Sequence, residues 1–297
     1  MSLLVVGTVA FDTIETPLGK EEKILGGAAT YTCITSSYFT SPNIVSIVGH
    51  DFPNEHEQKF KSHNIDLDGL VRHKTKKTFF WSGKYRDNMN IRDTIDTQLN
   101  VLEIFDPIIP NKHKNSNYVM LGNVIPSVQL KVLDQLENEA ALIAMDTMNL
   151  WIENAYDDLI EVIKKVDILM INDQEIQQLQ NTSNIEDAVE KTFLLGPSFI
   201  IVKLGSEGSI LFSKNEKYVC PAVAIKQVID PTGAGDSFAG GFMGYLCSTK
   251  KNSFENMKKA IHWGTVMASF CVQDFGTRNI MSLNKEKYLD RYSKNFN

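Results

Sequence analysis

The chain has 297 residues, with 30 Lys and Arg against 36 Asp and Glu and a net charge of −6. It therefore lacks the basic field that would draw nucleic acid or an anionic membrane surface, and any phosphate ligand must be held by local features. Four scattered cysteines, Cys33, Cys220, Cys247 and Cys271, form no Cys-x-x-Cys pair and no zinc spacing, so they read as reduced, buried thiols of a cytoplasmic protein.

The opening "MSLLVVGTVAFD" has no basic segment or small-residue cleavage site, and its apolar run is far below the roughly 20 residues of a membrane helix. It reads as a first strand, Leu3 to Val6. Further compact apolar runs follow at Ile44 to Val48, Tyr118 to Leu121, Leu142 to Met145, Ile168 to Ile171 and Phe199 to Val202. Runs of this kind, without alternation, suit a parallel sheet covered on both faces. Between them the pattern predicts helices over Ser127–Glu139, about Ala155–Val166 and Ile185–Leu195. Ser209 to Phe212 and Ala222 to Ile229 are read as later strands, the second interrupted by Lys226 and Gln227, and Ser237 to Leu246 as a small-residue helix. The alternation of strand and helix argues for a doubly wound α/β sandwich without internal repeats.

Two stretches break this rhythm. Residues 11–23 and 75–97, the second containing "TKKTFFWSGKYRDNMNIRDT", are rich in Thr, aromatic and charged residues with a partial period of two. They read as strands of a small sheet wet on one face, either a lid over an active site or an edge extension. The remainder, 1–10, 24–74 and 98–297, would form the core.

The most informative segment is "DPTGAGDSFAGG", Asp230 to Gly241. It lies where a strand-like run meets a helical one, so its glycines precede a helix end whose free amides and dipole attract anions. A carboxylate there would repel a phosphate that was merely bound. As a base, Asp236 could instead take the proton of a substrate hydroxyl while neighbouring amides stabilise charge on a transferring phosphoryl group. An N-cap role is the compatible alternative. The segment is not Gly-x-Gly-x-x-Gly, because Phe238 holds the sixth position, and no Gly-x4-Gly-Lys-Ser/Thr occurs in the chain.

"DPTGAGDSFAGGF" resembles the C-terminal signature of the ribokinase-like (PfkB) carbohydrate kinase family, and four more segments resemble that family in its order. They are "VVGTVAFD" at Val5 to Asp12, "GGAATY" at Gly26 to Tyr31, "NDQE" at Asn172 to Glu175 and "KLGSEGS" at Lys203 to Ser209. The resemblance implies a three-layer α/β/α sandwich with a small β-sheet lid, and transfer of the γ-phosphoryl group of ATP to a hydroxyl of a small sugar. It implies Asp236 as general base and Gly233, Ala234 and Gly235 as the anion hole. Asn172 and Glu175 would organise the triphosphate and its Mg²⁺, partly through water, although the same four residues also suit a plain helix start. Lys203, Gly205, Gly208 and Thr232 would line the nucleotide site, the glycines serving equally well as a tight turn. Many members also bind a monovalent cation such as K⁺, here through Asp230, Thr232 and the "FGTRN" segment around Gly276.

For the acceptor, the resemblance implies Asp12 with Gly26 and Gly27. Asp12 also fits a turn after the first strand. Lys84, Arg92 and Asp93 of the lid could reach the substrate or lie on a solvated face, and Asn149 in "DTMNLW" is a further candidate. Sugar kinases of the family commonly carry Asn where this chain has Tyr31, so the pocket should differ in shape and polarity. With the aromatic "FFWSGKY", this leaves a nucleoside acceptor open. A binding-only module is the rival from another class, and the retained Asp236 argues against it. Pairing through an exposed lid edge leaves a homodimer open.

Overall fold

The computed structural model describes residues 2–89, 91–138 and 141–296. Its large sheet contains β1 (Leu3–Val6), β4 (Pro42–Val48), β5 (Asp66–Arg72), β8 (Tyr118–Leu121), β9 (Leu142–Asp146), β10 (Ile168–Asn172), β11 (Phe199–Lys203), β12 (Ser209–Ser213) and β13 (Lys217–Cys220). They lie in the order β13-β12-β11-β10-β9-β8-β1-β4-β5. All pairings from β11 to β5 are parallel, and β12 and β13 add antiparallel strands at one edge. A smaller sheet, β3-β2-β6-β7, is built from β2 (Ala10–Thr16), β3 (Gly19–Gly26), β6 (Phe79–Tyr85) and β7 (Arg92–Gln98).

Strand β1 shows why the large sheet is a middle layer. Its four residues are fully buried, Leu3 and Val5 in one apolar cluster and Leu4 and Val6 in another. A strand covered on both faces has no room for polar alternation. The first cluster takes side chains from α1 (Ala28–Ser36), α2 (Asn54–Ser62), α8 (Ala234–Thr249), α9 (Phe254–Cys271), α10 (Arg278–Met281) and α11 (Lys285–Phe296). The second takes them from α3 (Pro126–Leu133), α4 (Asn149–Asn154), α5 (Tyr156–Ile163), α6 (Asp173–Gln180) and α7 (Ile185–Phe193). Among the described residues no helix is long and apolar enough to cross a membrane.

Two expectations need correction. The helix expected over Ser127–Glu139 stops at Leu133. There the Gln135 side chain accepts the Ile109 amide and donates to the Pro107 carbonyl, pulling the chain toward the preceding loop. Its expected end at Glu139 lies outside the described residues. The run Ala222–Ile229 is not a strand. The strand is β13, just before it, and Pro221 ends the ladder because proline has no N–H to give. The freed segment walls a pocket instead.

The small sheet has a seam. Strands β2 and β3 form one antiparallel hairpin, β6 and β7 another, and the two join through parallel pairing of β2 with β6. In that register Asp12 stands beside Trp81 on one face.

Candidate active site

Helix α8 begins behind a backbone turn that only glycine suits. Gly233 has φ +75, and a β-carbon on it would fall 2.4 Å from the buried Tyr31 ring. The Ala234 amide donates to the Pro231 carbonyl at 3.2 Å, and the helical ladder starts with Ser237 donating to Gly233 at 2.8 Å. No side chain caps this end. Asp236 is the third helical residue, so the N-cap alternative does not apply to it. Burial pushes its carboxyl up to about 7, helped by Asp146 and opposed by Lys203 and Arg92.

Asp230 anchors the turn from below. It is fully buried, accepting the Thr232 amide on one oxygen and the Gly276 amide on the other, both at 2.9 Å. The sequence segments around 230 and 276 thus meet at one carboxylate.

Asp12 faces this end of α8 from the smaller sheet. It is buried, and a β-carbon on Gly26 would come 1.8 Å from its carboxyl oxygen, so that glycine is needed for the approach. Burial first, then Asp230 and Asp236, pushes Asp12 up to about 8, while Arg92 and the Gly27 amide oppose the shift. The Arg92 guanidinium lies 4.8 Å over the Trp81 ring, and the indole in turn covers Gly83. Tyr85 reaches from the same face to Thr232, hydroxyl to hydroxyl at 3.0 Å. The smaller sheet is therefore docked on the turn that opens α8.

On the other side, Asn172 and Glu175 form a capping box at α6. Asn172 Oδ1 accepts the Glu175 amide at 2.7 Å, and Glu175 Oε2 accepts the Asn172 amide at 2.9 Å. The helix-start reading is thus correct as geometry, and it also fixes a buried acid at the mouth of the sheet. Burial pushes Glu175 up to about 7, opposed chiefly by Lys203. Lys203 ends β11 and pairs with both oxygens of Asp146 at 2.6 and 2.8 Å. Beside it opens a cavity of about 780 Å³ bordered by Gly205, Gly208, Ala222, Ile225, Val228 and Gly235.

The structure thus gathers Asp12, Gly26, Gly27, Arg92, Glu175, Lys203, Asp230, Thr232 and the Gly233–Asp236 turn around one cleft. Tyr31 lies beneath Gly233, its hydroxyl without a partner among the described residues, and supports the turn rather than lining an open pocket. Asn149 is exposed at the start of α4. Lys84 pairs with Glu15 and Asp93 with Arg86, all on exposed surface. Sequence reasoning missed Asp146, although an acid at the C-terminal end of a parallel strand is where such folds place ligands. It also missed Tyr85 and Trp81 as individuals, although Trp81, Gly83 and Tyr85 are spaced by two and so share one face of β6. Among the described residues no group of three His, Cys, Asp or Glu could by itself hold a metal ion.

A helix end flanked by a buried acid on one side and a roomy cavity on the other, at the carboxyl ends of parallel strands, describes a phosphotransferase with an alcohol acceptor. Residues 2–284 match the profile of the pfkB family carbohydrate kinase, and the chain belongs to that family. The cytidine kinase of Thermococcus kodakarensis is 26% identical over 248 residues, 82% of this chain and 87% of that protein. The nucleoside kinase of Methanocaldococcus jannaschii is 27% identical over 277 residues, 92% of this chain and 86% of that protein. The crystal structure of the latter kinase superposes with a TM-score of 0.79 at 23% identity, covering 99% of this chain and 98% of that one. Thermotoga maritima ribokinase gives 0.77 at 22% identity, covering 99% and 100%. The fold is ribokinase-like.

Proposed function

We propose that the protein transfers the γ-phosphoryl group of ATP to a hydroxyl of a sugar or nucleoside, with Asp236 as general base. One observation carries this reading. The turn that leads into Asp236 is held from the smaller sheet by Tyr85, hydroxyl to hydroxyl with Thr232, while Ala234 and Gly235 of the same turn border the large cavity. A single helix end therefore stands between an acceptor compartment and a nucleotide compartment.

The residues present fit the nucleotide. Apolar Ala222, Val223, Ile225 and Val228 suit a purine, and the open amides of α8 suit phosphate. Glu175 and Asn172 would hold Mg²⁺ through water, and the ion when bound offsets phosphate charge. Asp230 is buried with two amides on it and, among the described residues, no ion pair to a cationic side chain, which fits a neighbouring K⁺ held with Thr232 and the Gly276 segment. Asp12 orients the acceptor, and Asp236 takes the proton of the attacking hydroxyl. The Gly233 and Gly235 amides face the charge that develops, since the Ala234 amide is already engaged by Pro231. The smaller sheet, held down by Tyr85, keeps water from the cleft.

A nucleoside acceptor is favoured over a free sugar. Trp81 stands beside Asp12 in the register of β2 with β6 and carries Arg92 on its ring, so the acceptor side presents an aromatic edge and a cation that suit a base. Two long-range relatives are nucleoside kinases. Assays with cytidine, adenosine and inosine against ribose, fructose and 2-keto-3-deoxygluconate test this. The expectation is a kcat/KM about tenfold or more higher for a nucleoside. Equal or better use of a free sugar refutes the preference. For the base, Asp236→Asn should lower kcat by about 10² to 10⁴ with ATP affinity within a few fold, and near wild-type turnover would remove Asp236 from the role.

A further inference from the structure

Lys203 and Asp146 form a buried ion pair at the mouth of the large sheet. The lysine side chain is 18% exposed and the aspartate 6%, so the pair is largely out of water. Their strands, β11 and β9, flank β10, and the pair bridges the ends of both. The lysine Nζ also stands 3.2 Å from where a β-carbon on Gly235 would lie, at the second residue of α8. An ammonium has three protons. Two go to Asp146, and among the described residues no acceptor is seen for the third. Burial works against the charged lysine, but Asp146, Glu175 and Asp236 together hold it protonated. A well-packed apolar pair would serve stability at least as well as a buried ion pair, so placement of this one at the helix end points to use.

We propose that Asp146 is a positioning residue that fixes the Lys203 ammonium under the amino end of α8, where its third proton meets an oxygen of the phosphoryl group in transfer. This rests on the phosphoryl-transfer reading. In the step, the acceptor proton passes to Asp236, a P–O bond forms to the acceptor oxygen, the bond to the bridging oxygen of the β-phosphate breaks, and ADP leaves. Lys203 keeps its proton throughout and lowers the cost of negative charge on the moving group. Without Asp146 the ammonium turns toward Asp236, the carboxylate that already feels it. The groups facing Asp236 are Asp146 from β9, Lys203 from β11, Arg92 from β7 and Asp12 from β2, with the Tyr31 phenol of α1 and the Cys271 thiol of α9, both pushed up by burial and so neutral over the range of the test.

The test is the pH dependence of kcat and KM for the full chain with ATP, Mg²⁺ and its best acceptor from the panel. Wild type is compared with Asp146→Asn, Asp146→Glu, Lys203→Met, Asp236→Asn and the double variant Asp146→Asn/Lys203→Met. Asp146→Asn should lower kcat about 10- to 100-fold with KM for ATP within about threefold. It should also move the acid limb of kcat to lower pH, because a negative neighbour of Asp236 is gone. Lys203→Met should lower kcat similarly and move the limb to higher pH, because a positive neighbour is gone. Asp146→Glu should restore most of the rate. The double variant removes both charges and so keeps the fold even if a single variant does not, and it should be no slower than Lys203→Met alone. The proposal is overturned if Asp146→Asn keeps kcat within about threefold, if both limbs stay where wild type has them, or if the two losses multiply. A limb that survives in Asp236→Asn instead refutes the base assignment, and the rates of the single and double variants then decide the role of Asp146 by themselves.

Discussion

A methyl group added at Gly235 and the same group added at Gly233 should separate catalysis from folding at the start of α8. At Gly235 the new β-carbon would meet first the Lys203 ammonium at 3.2 Å, then Lys203 Cδ at 3.8 Å and Asp146 at 4.0 Å. The first neighbour is the far end of a flexible chain, and alanine is a better helix former by about 1 kcal/mol. Stability should therefore hold or rise by up to about 1 kcal/mol. Turnover should fall about 10- to 100-fold, since the methyl shifts the lysine and crowds the amides proposed to stabilise the phosphoryl group. At Gly233 the β-carbon would enter the Tyr31 ring at 2.4–2.5 Å, with φ at +75. The left-handed backbone costs about 1–2 kcal/mol for a residue with a side chain, and forcing a buried ring aside costs about 1–3 kcal/mol more. A loss of about 2–5 kcal/mol follows. Urea unfolding gives the stabilities at constant m, and initial rates on the folded fraction give turnover. Combining Gly233→Ala with Tyr31→Ala should recover the packing part only, leaving the backbone cost plus the cavity. The reasoning fails if Gly233→Ala is as stable as wild type, or if Gly235→Ala loses more than about 2 kcal/mol.

Asp12→Asn should stabilise the protein in a pH-dependent way. The folded chain raises the Asp12 carboxyl from 3.8 to about 8. The stability given by its proton is thus complete below about 4 and lost as pH rises through about 8. Asparagine stays neutral, so its advantage in Tm should be near zero at pH 4 and several degrees at pH 8.5, with acceptor binding weakened at both. A pH-independent difference in thermal unfolding would show that Asp12 does not carry the shift. Glu175→Gln keeps an oxygen for the Asn172 amide but removes the charge, so it should fold normally while the Mg²⁺ concentration for half-maximal rate rises about tenfold. Unchanged Mg²⁺ dependence would remove Glu175 from that role. Tyr85→Phe deletes the 3.0 Å contact with Thr232, worth about 1 kcal/mol, and should raise acceptor KM about three- to tenfold. An unchanged KM would mean that this hydrogen bond does not help hold the smaller sheet over the acceptor.

Much of the core was legible because local and tertiary forces agree there. The runs at Leu3–Val6, Tyr118–Leu121 and Ile168–Ile171 are buried on both faces, and their lack of alternation said so in advance. The turn before α8 was legible from its glycines, of which Gly233 takes the left-handed backbone. What escaped depended on distant partners. The early end of α3 is set by Gln135 reaching residues 107 and 109, which no local pattern contains. The false strand at Ala222–Ile229 has apolar residues for a different reason, since they wall a cavity rather than fill a sheet, and Pro221 was the overlooked stop signal. Asp146 was hidden because its meaning comes from Lys203, two strands away. Asn149 had the more suggestive motif position but stands exposed.

The seam between β2 and β6 has a consequence for how the chain acquires its native state. Each hairpin of the smaller sheet can zip locally, but the strip that joins Ala10–Glu15 to Phe79–Lys84 closes a long loop containing β4 and β5. Its closure entropy must be met before those contacts repay it. Assembly of the smaller sheet over the cleft should therefore be a late event, following consolidation of the nine-stranded layer, and nascent molecules would pass through a stage in which the turn before α8 is formed but still open to solvent. Pulse-labelling hydrogen exchange during refolding would register that order as slow protection of residues 79–85 after residues 168–172.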